Sequence, residues 1–160
     1  MIDWDFQGGN YSTINLELLS KVNERDMDNI LEVWESSVRA THTFLSEKDI
    51  ISIKPQVKEG ANYVSSLVCI RDEEGIIQAF MDVHENKIEM LFVRNKDRGN
   101  GIGKILIEYA IDKLDVEYVD VNEDNIQGVG FYKHVGFQVF KRSELDDHGD
   151  PFPILHMKLK

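Results

Sequence analysis

The sequence is poor in the features that mark secreted or membrane-spanning proteins. It has a single cysteine, Cys69, which cannot form a disulfide within the chain, so a reducing compartment is compatible with it. Cys69 lies in an apolar run, which favours a small buried strand residue over a nucleophile. No stretch approaches the roughly 20 apolar residues of a transmembrane helix, and the N-terminus lacks a basic-then-apolar signal pattern. We therefore expect a cytoplasmic protein without a membrane partner.

Positive charge is also scarce. Lys and Arg number 18 against 29 Asp and Glu, which gives a formal net charge of −11. Such a chain repels nucleic acid unless a local basic patch intervenes, so nucleic acid is not expected as a partner. The same charge favours cationic partners, although it also simply confers solubility. The histidines show no close pairing, so we predict no metal site.

The chain lacks internal repeats and linkers rich in proline or glycine, which indicates a single domain over residues 1–160. Hydrophobic periodicity and turn signals predict one strand, two helices, three strands, a helix, a strand, a helix and two strands. This order is typical of a mixed α/β (α+β) fold with one central sheet. The predicted elements are a strand over Ile14–Leu19, a helix capped by Asp26, a helical region from Ser46 that is interrupted near Pro55, strands over Val64–Ile70, Ile76–Val83 and Lys87–Val93, a helix over Gly101–Leu114, a strand over Tyr118–Val121, a helix over Asn125–His134, and strands over Phe137–Phe140 and Ile154–Leu159.

A glycine-rich loop, Arg98–Lys104, follows an apolar strand and opens a helix. Glycine lets backbone N–H groups approach a ligand closely, and a helix N-terminus favours an anion. In so acidic a chain, a local excess of basic residues here predicts a phosphate site; these residues are Arg94, Lys96, Arg98 and Lys104. The alternative is a flexible turn with solvated charges, but three alternating glycines exceed what a turn needs. Their spacing fits neither the dinucleotide fingerprint nor the nucleotide P-loop.

The pattern R-x-x-G-x-G at Arg98, Gly101 and Gly103 resembles the GCN5-related N-acetyltransferase (GNAT) superfamily. The resemblance implies a twisted, mostly antiparallel sheet of six to seven strands with about four helices, and a cleft for acetyl-coenzyme A between the fourth and fifth strands. In that family the loop wraps the pyrophosphate, and the preceding strand, Glu89–Val93 here, carries a bulge and holds the pantetheine arm. The implied cofactor-binding residues are Leu91, Phe92, Val93, Arg98, Gly99, Asn100, Gly101, Ile102, Gly103, Lys104, Asn125 and Tyr132.

A second motif follows at the family's distance. The segment from Asn125 to Phe137 resembles N-x-x-A-x-x-F-Y-x-x-x-G-F, with Gly128 in place of the usual alanine. Asn125 and Tyr132 are seven residues apart, which places them on one helical face. In relatives the asparagine binds the cofactor arm and the tyrosine protonates the leaving thiolate. From the residues alone Tyr132 could equally be a core aromatic, whereas the family pattern favours the acid.

Two further segments, Val33–Leu45 and Arg142–Leu155, resemble the YjaB-like branch of small bacterial acetyltransferases. The resemblance therefore covers nearly all of the chain after residue 25, while the first two dozen residues match no known pattern. Dimers are common in the family, so a homodimer stays open.

The resemblance implies direct transfer of an acetyl group to a primary amine, on a small molecule or a peptide. The amine must lose a proton, and Glu89 is the first candidate base because some relatives place a carboxylate there. His42 is the second, and His148 in an acidic loop is the third. Each has a plainer alternative: a solvent-facing strand residue, a helix cap and a solvated loop residue. A coenzyme A-binding sensor without turnover is the alternative function.

Overall fold

The structure is a computed structural model that describes residues 14–63 and 66–160. Within these residues the chain forms one seven-stranded sheet and four α-helices. Both counts agree with the sequence-based expectation, as does the order of the elements. The elements are β1 (Asn15–Leu19), α1 (Glu24–Thr41), α2 (Glu47–Asn62), β2 (Ser66–Arg71), β3 (Ile77–His84), β4 (Lys87–Val93), a 3-10 turn (Asn95–Asp97), α3 (Ile102–Lys113), β5 (Tyr118–Asn122), α4 (Ile126–His134), β6 (Phe137–Ser143) and β7 (Ile154–Leu159).

The strands lie in the order β1-β2-β3-β4-β5-β7-β6. All neighbouring pairs are antiparallel except β4 and β5, which are parallel. This confirms the mostly antiparallel sheet. Short turns between β2, β3 and β4 explain the antiparallel N-terminal half, because a parallel neighbour needs a long crossover. Helix α3 supplies that crossover between β4 and β5.

The sheet separates two hydrophobic cores. One core includes Leu106, Val119 and Met157 and joins the sheet to α3 and α4. The other includes Trp34, Val57 and Phe80 and joins the opposite face to α1 and α2. Cys69 is buried in β2, as predicted, and burial raises the pKa of its thiol to about 12, which argues against a nucleophile.

Helix α1 begins differently from the prediction. Its N-cap is Asn23, whose side chain accepts a hydrogen bond from the Asp26 amide at 2.8 Å. Asp26 is instead buried and receives two hydrogen bonds from the Arg71 guanidinium, at 2.9 and 3.0 Å. The prediction was wrong because Arg71 lies 45 residues away in sequence, and a local capping rule does not include such a partner.

Helix α2 runs without interruption through Pro55, so the predicted break near this residue was wrong. Proline removes the hydrogen bond to the carbonyl four residues earlier, on Ile51. Ile51 is 66% exposed, and water can satisfy its carbonyl. A capping box between Ser46 and Asp49 and the burial of Val57 on the inner face also support the helix.

Several strand boundaries differ from the predictions, most of them by one residue. Strand β6 continues to Ser143, three residues beyond the predicted end, because a bulge at Phe140 lets pairing with β7 resume at Lys141. The first two positions of the strand predicted over Val64–Ile70 lie outside the described residues, as does much of the N-terminal segment that matched no pattern.

In the part of the chain that the structure describes, no helix is long and apolar enough to cross a membrane.

Candidate active site

A cleft opens where β4 and β5 diverge. The two strands pair only at Lys87 with Tyr118 and at Ile88 with Val119. Beyond Ile88 the edge of β4 has no strand partner on this side, and a cleft of about 370 Å³ lies there. This is the position expected from the sequence, between the fourth and fifth strands. The cleft is lined by Ser37, Thr41, His42, Leu91, Phe92, Val93, Asp97, Arg98, Gly99, Gly101, Ile102, Gly103, Lys104, Asn125, Gln127, Gly128, Phe131 and Tyr132.

The glycine loop forms one end of the cleft. Gly99 and Gly101 have φ values of +82° and +79°, in the left-handed region that favours glycine. Gly101 is the N-cap of α3 and has no side chain to bond the first amides of the helix. Those amides and the positive end of the helix dipole are therefore available to an anion. Asn100, also predicted to bind the cofactor, is exposed and is not among the residues that line the cleft.

Only two of the four basic residues predicted at the phosphate site line the cleft, Arg98 and Lys104. Arg94 turns away and bonds two carboxylates, Asp97 at 2.6 Å and Asp72 at 3.2 Å. The Asp97 side of this pair borders the cleft, so Arg94 neutralises a carboxylate that would otherwise repel a phosphate. Lys96 lies outside the cleft, beside a second cavity.

The wall of the cleft comes from β4. Leu91, Phe92 and Val93, which were predicted to bind the cofactor, line it and pair with β3 on their other side. The bulge that the resemblance implied is present: Asp82 lies opposite Met90 and the next residue of β3 lies opposite Ile88. Glu89 is the extra, unpaired residue of that bulge.

Tyr132 lies on α4 and is 7% exposed. Its ring packs edge-on against Phe131 and Phe137, with centroids 5.2 and 5.9 Å away. The residue therefore packs in the core, as the plainer alternative predicts, and also lines the cleft. Burial raises the pKa of its hydroxyl well above the ordinary value, which keeps the group protonated and able to donate at neutral pH.

Asn125 is positioned differently from the prediction. It is the N-cap of α4 rather than a residue within the helix, and its Oδ1 accepts a hydrogen bond from the Gly128 amide at 3.1 Å. Gly128 makes room for this arrangement, because a Cβ there would overlap with the Asn125 amide nitrogen and lie 2.9 Å from its Cγ. Both residues line the cleft. Gly128, where the family pattern has alanine, thus accompanies an Asn125 side chain that folds back onto the first turn of α4.

His42 also lines the cleft, at the C-cap of α1. The Thr41 hydroxyl donates to the Ser37 carbonyl at 2.9 Å and lies 2.7 Å from His42 Nδ1. When the one hydrogen of that hydroxyl points to the Ser37 carbonyl, the hydroxyl accepts from Nδ1–H, and this tautomer leaves the Nε2 lone pair able to accept. Burial lowers the pKa of His42 to about 4, so the ring is neutral at physiological pH. The ring packs against Phe44 and Phe92.

Glu89 is not among the residues that line the cleft. Burial raises the pKa of its carboxyl; the nearby Lys87 ammonium, 3.8 Å away, lowers it, and the charges of Asp120 and Asp147 raise it. His148 is exposed in the loop between β6 and β7, where its amide donates to the Asp146 carboxylate. The structure therefore brings His42 and Tyr132 to the cleft, places Glu89 on the bulge of its wall, and leaves His148 on the surface.

Six residues of the cleft were not predicted from the sequence. Most had a usable signal: Gly128 and Phe131 stand at positions of the recognised motif, Gln127 lies between Asn125 and Gly128, and Thr41 directly precedes His42. Ser37 lies one helical turn before Thr41, so the helical period could have found it. The missed residues are Ser37, Thr41, Asp97, Gln127, Gly128 and Phe131.

No group of three or more His, Cys, Asp or Glu that could hold a metal occurs among the described residues.

The mixed sheet opens between β4 and β5, a glycine loop follows β4, and a tyrosine lies beside the opening. Together these features define an acyltransferase of the GNAT class. Residues 40–160 match the family described as the acetyltransferase (GNAT) domain, and the chain belongs to this family of N-acetyltransferases. It is 36% identical over 130 residues to the peptidyl-lysine N-acetyltransferase YjaB of Salmonella typhimurium. The aligned segment covers 81% of this chain and 89% of that protein.

Solved structures agree with this assignment. The solution structure of apo-form YjaB from Escherichia coli superimposes with a TM-score of 0.81 at 33% identity, covering 92% of this chain and 98% of the other. The PaiA N-acetyltransferase of Thermoplasma acidophilum, solved in complex with coenzyme A, shares the fold with a TM-score of 0.66 at 18% identity, covering 91% and 99%.

Proposed function

We propose that the protein transfers the acetyl group of acetyl-coenzyme A directly to the side-chain amine of a lysine in a peptide or protein. The observation that carries this proposal is the Tyr132 hydroxyl, buried and protonated in a cleft whose other end is a helix N-terminus with two cationic side chains. Mere binding of the cofactor needs no proton donor in that position. The peptidyl-lysine acceptor rests on the similarity to YjaB.

The cofactor site fits the residues present. Arg98, Lys104 and the first amides of α3 would hold the pyrophosphate, and the unpaired edge of β4 would hold the pantetheine arm. Arg98 also bonds the Gln127 side chain, which ties the glycine loop to α4 across the cleft. Acetyl-coenzyme A supplies the activated acetyl group as a thioester.

The residues of the chain would handle two protons. Glu89 takes a proton from the acceptor ammonium, directly or through water, and leaves a lone pair on nitrogen for attack on the acetyl carbon. Backbone amides on the free edge of β4 stabilise the charge that develops on the acetyl oxygen. As the carbon–sulfur bond breaks, Tyr132 donates its proton to the sulfur, and the second proton that the nitrogen loses on becoming an amide returns to the Tyr132 oxygen. His42, with a pKa of about 4, is the weaker base and stands as the alternative to Glu89.

The test starts with calorimetric titration of acetyl-coenzyme A, followed by an acceptor screen with free-thiol release and mass spectrometry as readouts. We expect saturable binding and acetylation of lysine-containing peptides whose N-terminus is blocked. Binding without thiol release from any amine would indicate the sensor function instead. Absence of binding at millimolar cofactor would refute the proposal altogether.

The Tyr132→Phe variant tests the acid. We expect turnover to fall about 100-fold, the lower range for a lost general acid, with unchanged cofactor affinity. Tyr63→Phe is the matched control, because Tyr63 is 81% exposed and the same hydroxyl is removed far from any core. Unchanged turnover of Tyr132→Phe, with chemistry shown to be rate-limiting, would exclude this role.

A further inference from the structure

A buried carboxyl group in β3 has no ion-pair partner among the described residues. Asp82 is 4% exposed, and its Oδ1 makes no hydrogen bond within the part of the chain that the structure describes. Buried carboxylates are normally paired, as Asp26 is with Arg71. An unpaired one costs folding free energy, so its presence calls for a physical explanation.

The position of Asp82 links it to the candidate base. It lies opposite Met90, at the point where the register of β3 and β4 shifts, and Glu89 is the extra residue of that bulge. The two carboxyl groups are close enough for the charge of Glu89 to act on Asp82. Lys87, the nearest cation to Glu89, is held more closely by Asp120, at 2.5 Å against 3.8 Å. The charge of Glu89 is therefore only partly compensated.

The two carboxyl groups titrate as a coupled pair. Burial, and then the negative charge of Glu89, raise the pKa of Asp82 to about 7. The pKa of Glu89 is also raised by burial, with Lys87 opposing and Asp120, Asp147 and His84 as the further charged neighbours. Asp82 therefore ionises against the negative charge of Glu89, and its ionisation adds a second charge beside that carboxyl.

We propose that Asp82 is a positioning residue of the catalytic centre, which holds a proton beside the bulge and, on releasing it, adds a second negative charge that strengthens Glu89 as the acceptor of the amine proton. This inference rests on the proposed role of Glu89. In the step itself one N–H bond of the acceptor ammonium breaks and one O–H bond forms on Glu89. Asp82 exchanges no proton with the substrate and acts only through its charge.

The first experiment compares pH profiles of kcat/KM for a lysine peptide. Asp82→Asn keeps the shape of the neutral side chain but cannot ionise, and Asp112→Asn removes an exposed carboxylate on α3 as a matched control. The ionisation of the peptide amine is common to all variants and cancels in a ratio. We expect the ratio of wild type to Asp82→Asn to rise about three- to tenfold between pH 6 and 8 and then level off. The ratio for the control should stay constant, and a constant ratio for Asp82→Asn would overturn the inference.

The second experiment needs no turnover. Carbon-13 NMR of the aspartate carboxyl groups, with Asp82→Asn for assignment, gives the pKa of Asp82 in the free protein. We expect a value near 7 in the wild type and a lower one in Glu89→Gln, since that variant removes the charge that opposes ionisation. An Asp82 that titrates near 4, or that is unchanged in Glu89→Gln, overturns this inference alone. Failure to acetylate any amine overturns the proposed function and, with it, the catalytic role of the pair.

Discussion

Replacing Gly128 by alanine tests the arrangement that distinguishes this chain from the family pattern. Gly128 is the third residue of α4, and its amide bonds the side chain of the N-cap, Asn125. An added Cβ would displace the Asn125 side chain and would also lie 3.2 Å from Val121 Cγ2. Two opposing changes follow: alanine favours the helix, and the capping hydrogen bond is lost.

The two effects are of similar size. Alanine in place of glycine within a helix stabilises by about 1 kcal/mol, and loss of an N-cap side chain costs about 1 kcal/mol. We therefore expect Gly128→Ala to change the free energy of unfolding by less than about 0.5 kcal/mol. Gly130 is the matched control in the same helix, because nothing lies within 4 Å of a Cβ there. Gly130→Ala should give the whole gain and raise Tm by about 2–4 °C.

Urea and thermal unfolding of a double-mutant cycle make the reasoning refutable. Asn125→Ala alone should destabilise by about 1 kcal/mol. In that background the overlap with Asn125 is gone and only the contact with Val121 remains, so Gly128→Ala should now stabilise, by somewhat less than Gly130→Ala does. The coupling between positions 125 and 128 should thus reach about 1 kcal/mol. Equal gains from Gly128→Ala and Gly130→Ala in the wild-type background would show that Asn125 does not occupy this space.

Two further predictions concern the cleft. His42 has a folded pKa of about 4 against an ordinary 6.5, so the unfolded chain binds the proton first and stability should fall, by up to about 3 kcal/mol, as pH drops from 6.5 to 4. Urea unfolding against pH should show that His42→Gln lacks this loss, and an identical slope would contradict it. Arg98→Gln should weaken acetyl-coenzyme A binding about tenfold by calorimetry, a loss typical of one charge-assisted contact, whereas Lys96→Gln, outside the cleft, should not; equal effects would place the phosphate site elsewhere.

Most of the fold was predictable because its signals are local. Strand β4 matched its predicted bounds, Lys87–Val93, since an apolar run between two turn signals determines both ends. Gly136 ends α4 with a φ of +112°, as expected of a C-terminal glycine. The glycine loop and the motif on α4 likewise predicted most of the cleft lining.

The errors share a different cause, which is a partner that is distant in sequence. In sequence Asp26 resembles a helix cap, but the fold pairs it with Arg71. Arg94 likewise resembles a phosphate ligand, but it bonds Asp72 and Asp97 instead. No local signal distinguishes Asp82, a carboxylate in the otherwise mostly apolar strand β3. Only the pairing of β3 with β4 places it beside the bulge at Glu89.

Charges of opposite sign predominate in two different parts of the site. At the loop end, Arg98, Lys104 and the start of α3 favour the anionic part of the cofactor, and Arg94 cancels the nearest carboxylate. Around the bulge, carboxyl groups outnumber cations, which favours a lysine ammonium. If both substrates are selected in this way, added salt should weaken the binding of each, since screening acts on both ends of the cleft. The local excess of basic residues at the cofactor end is therefore opposite in sign to the net charge of −11.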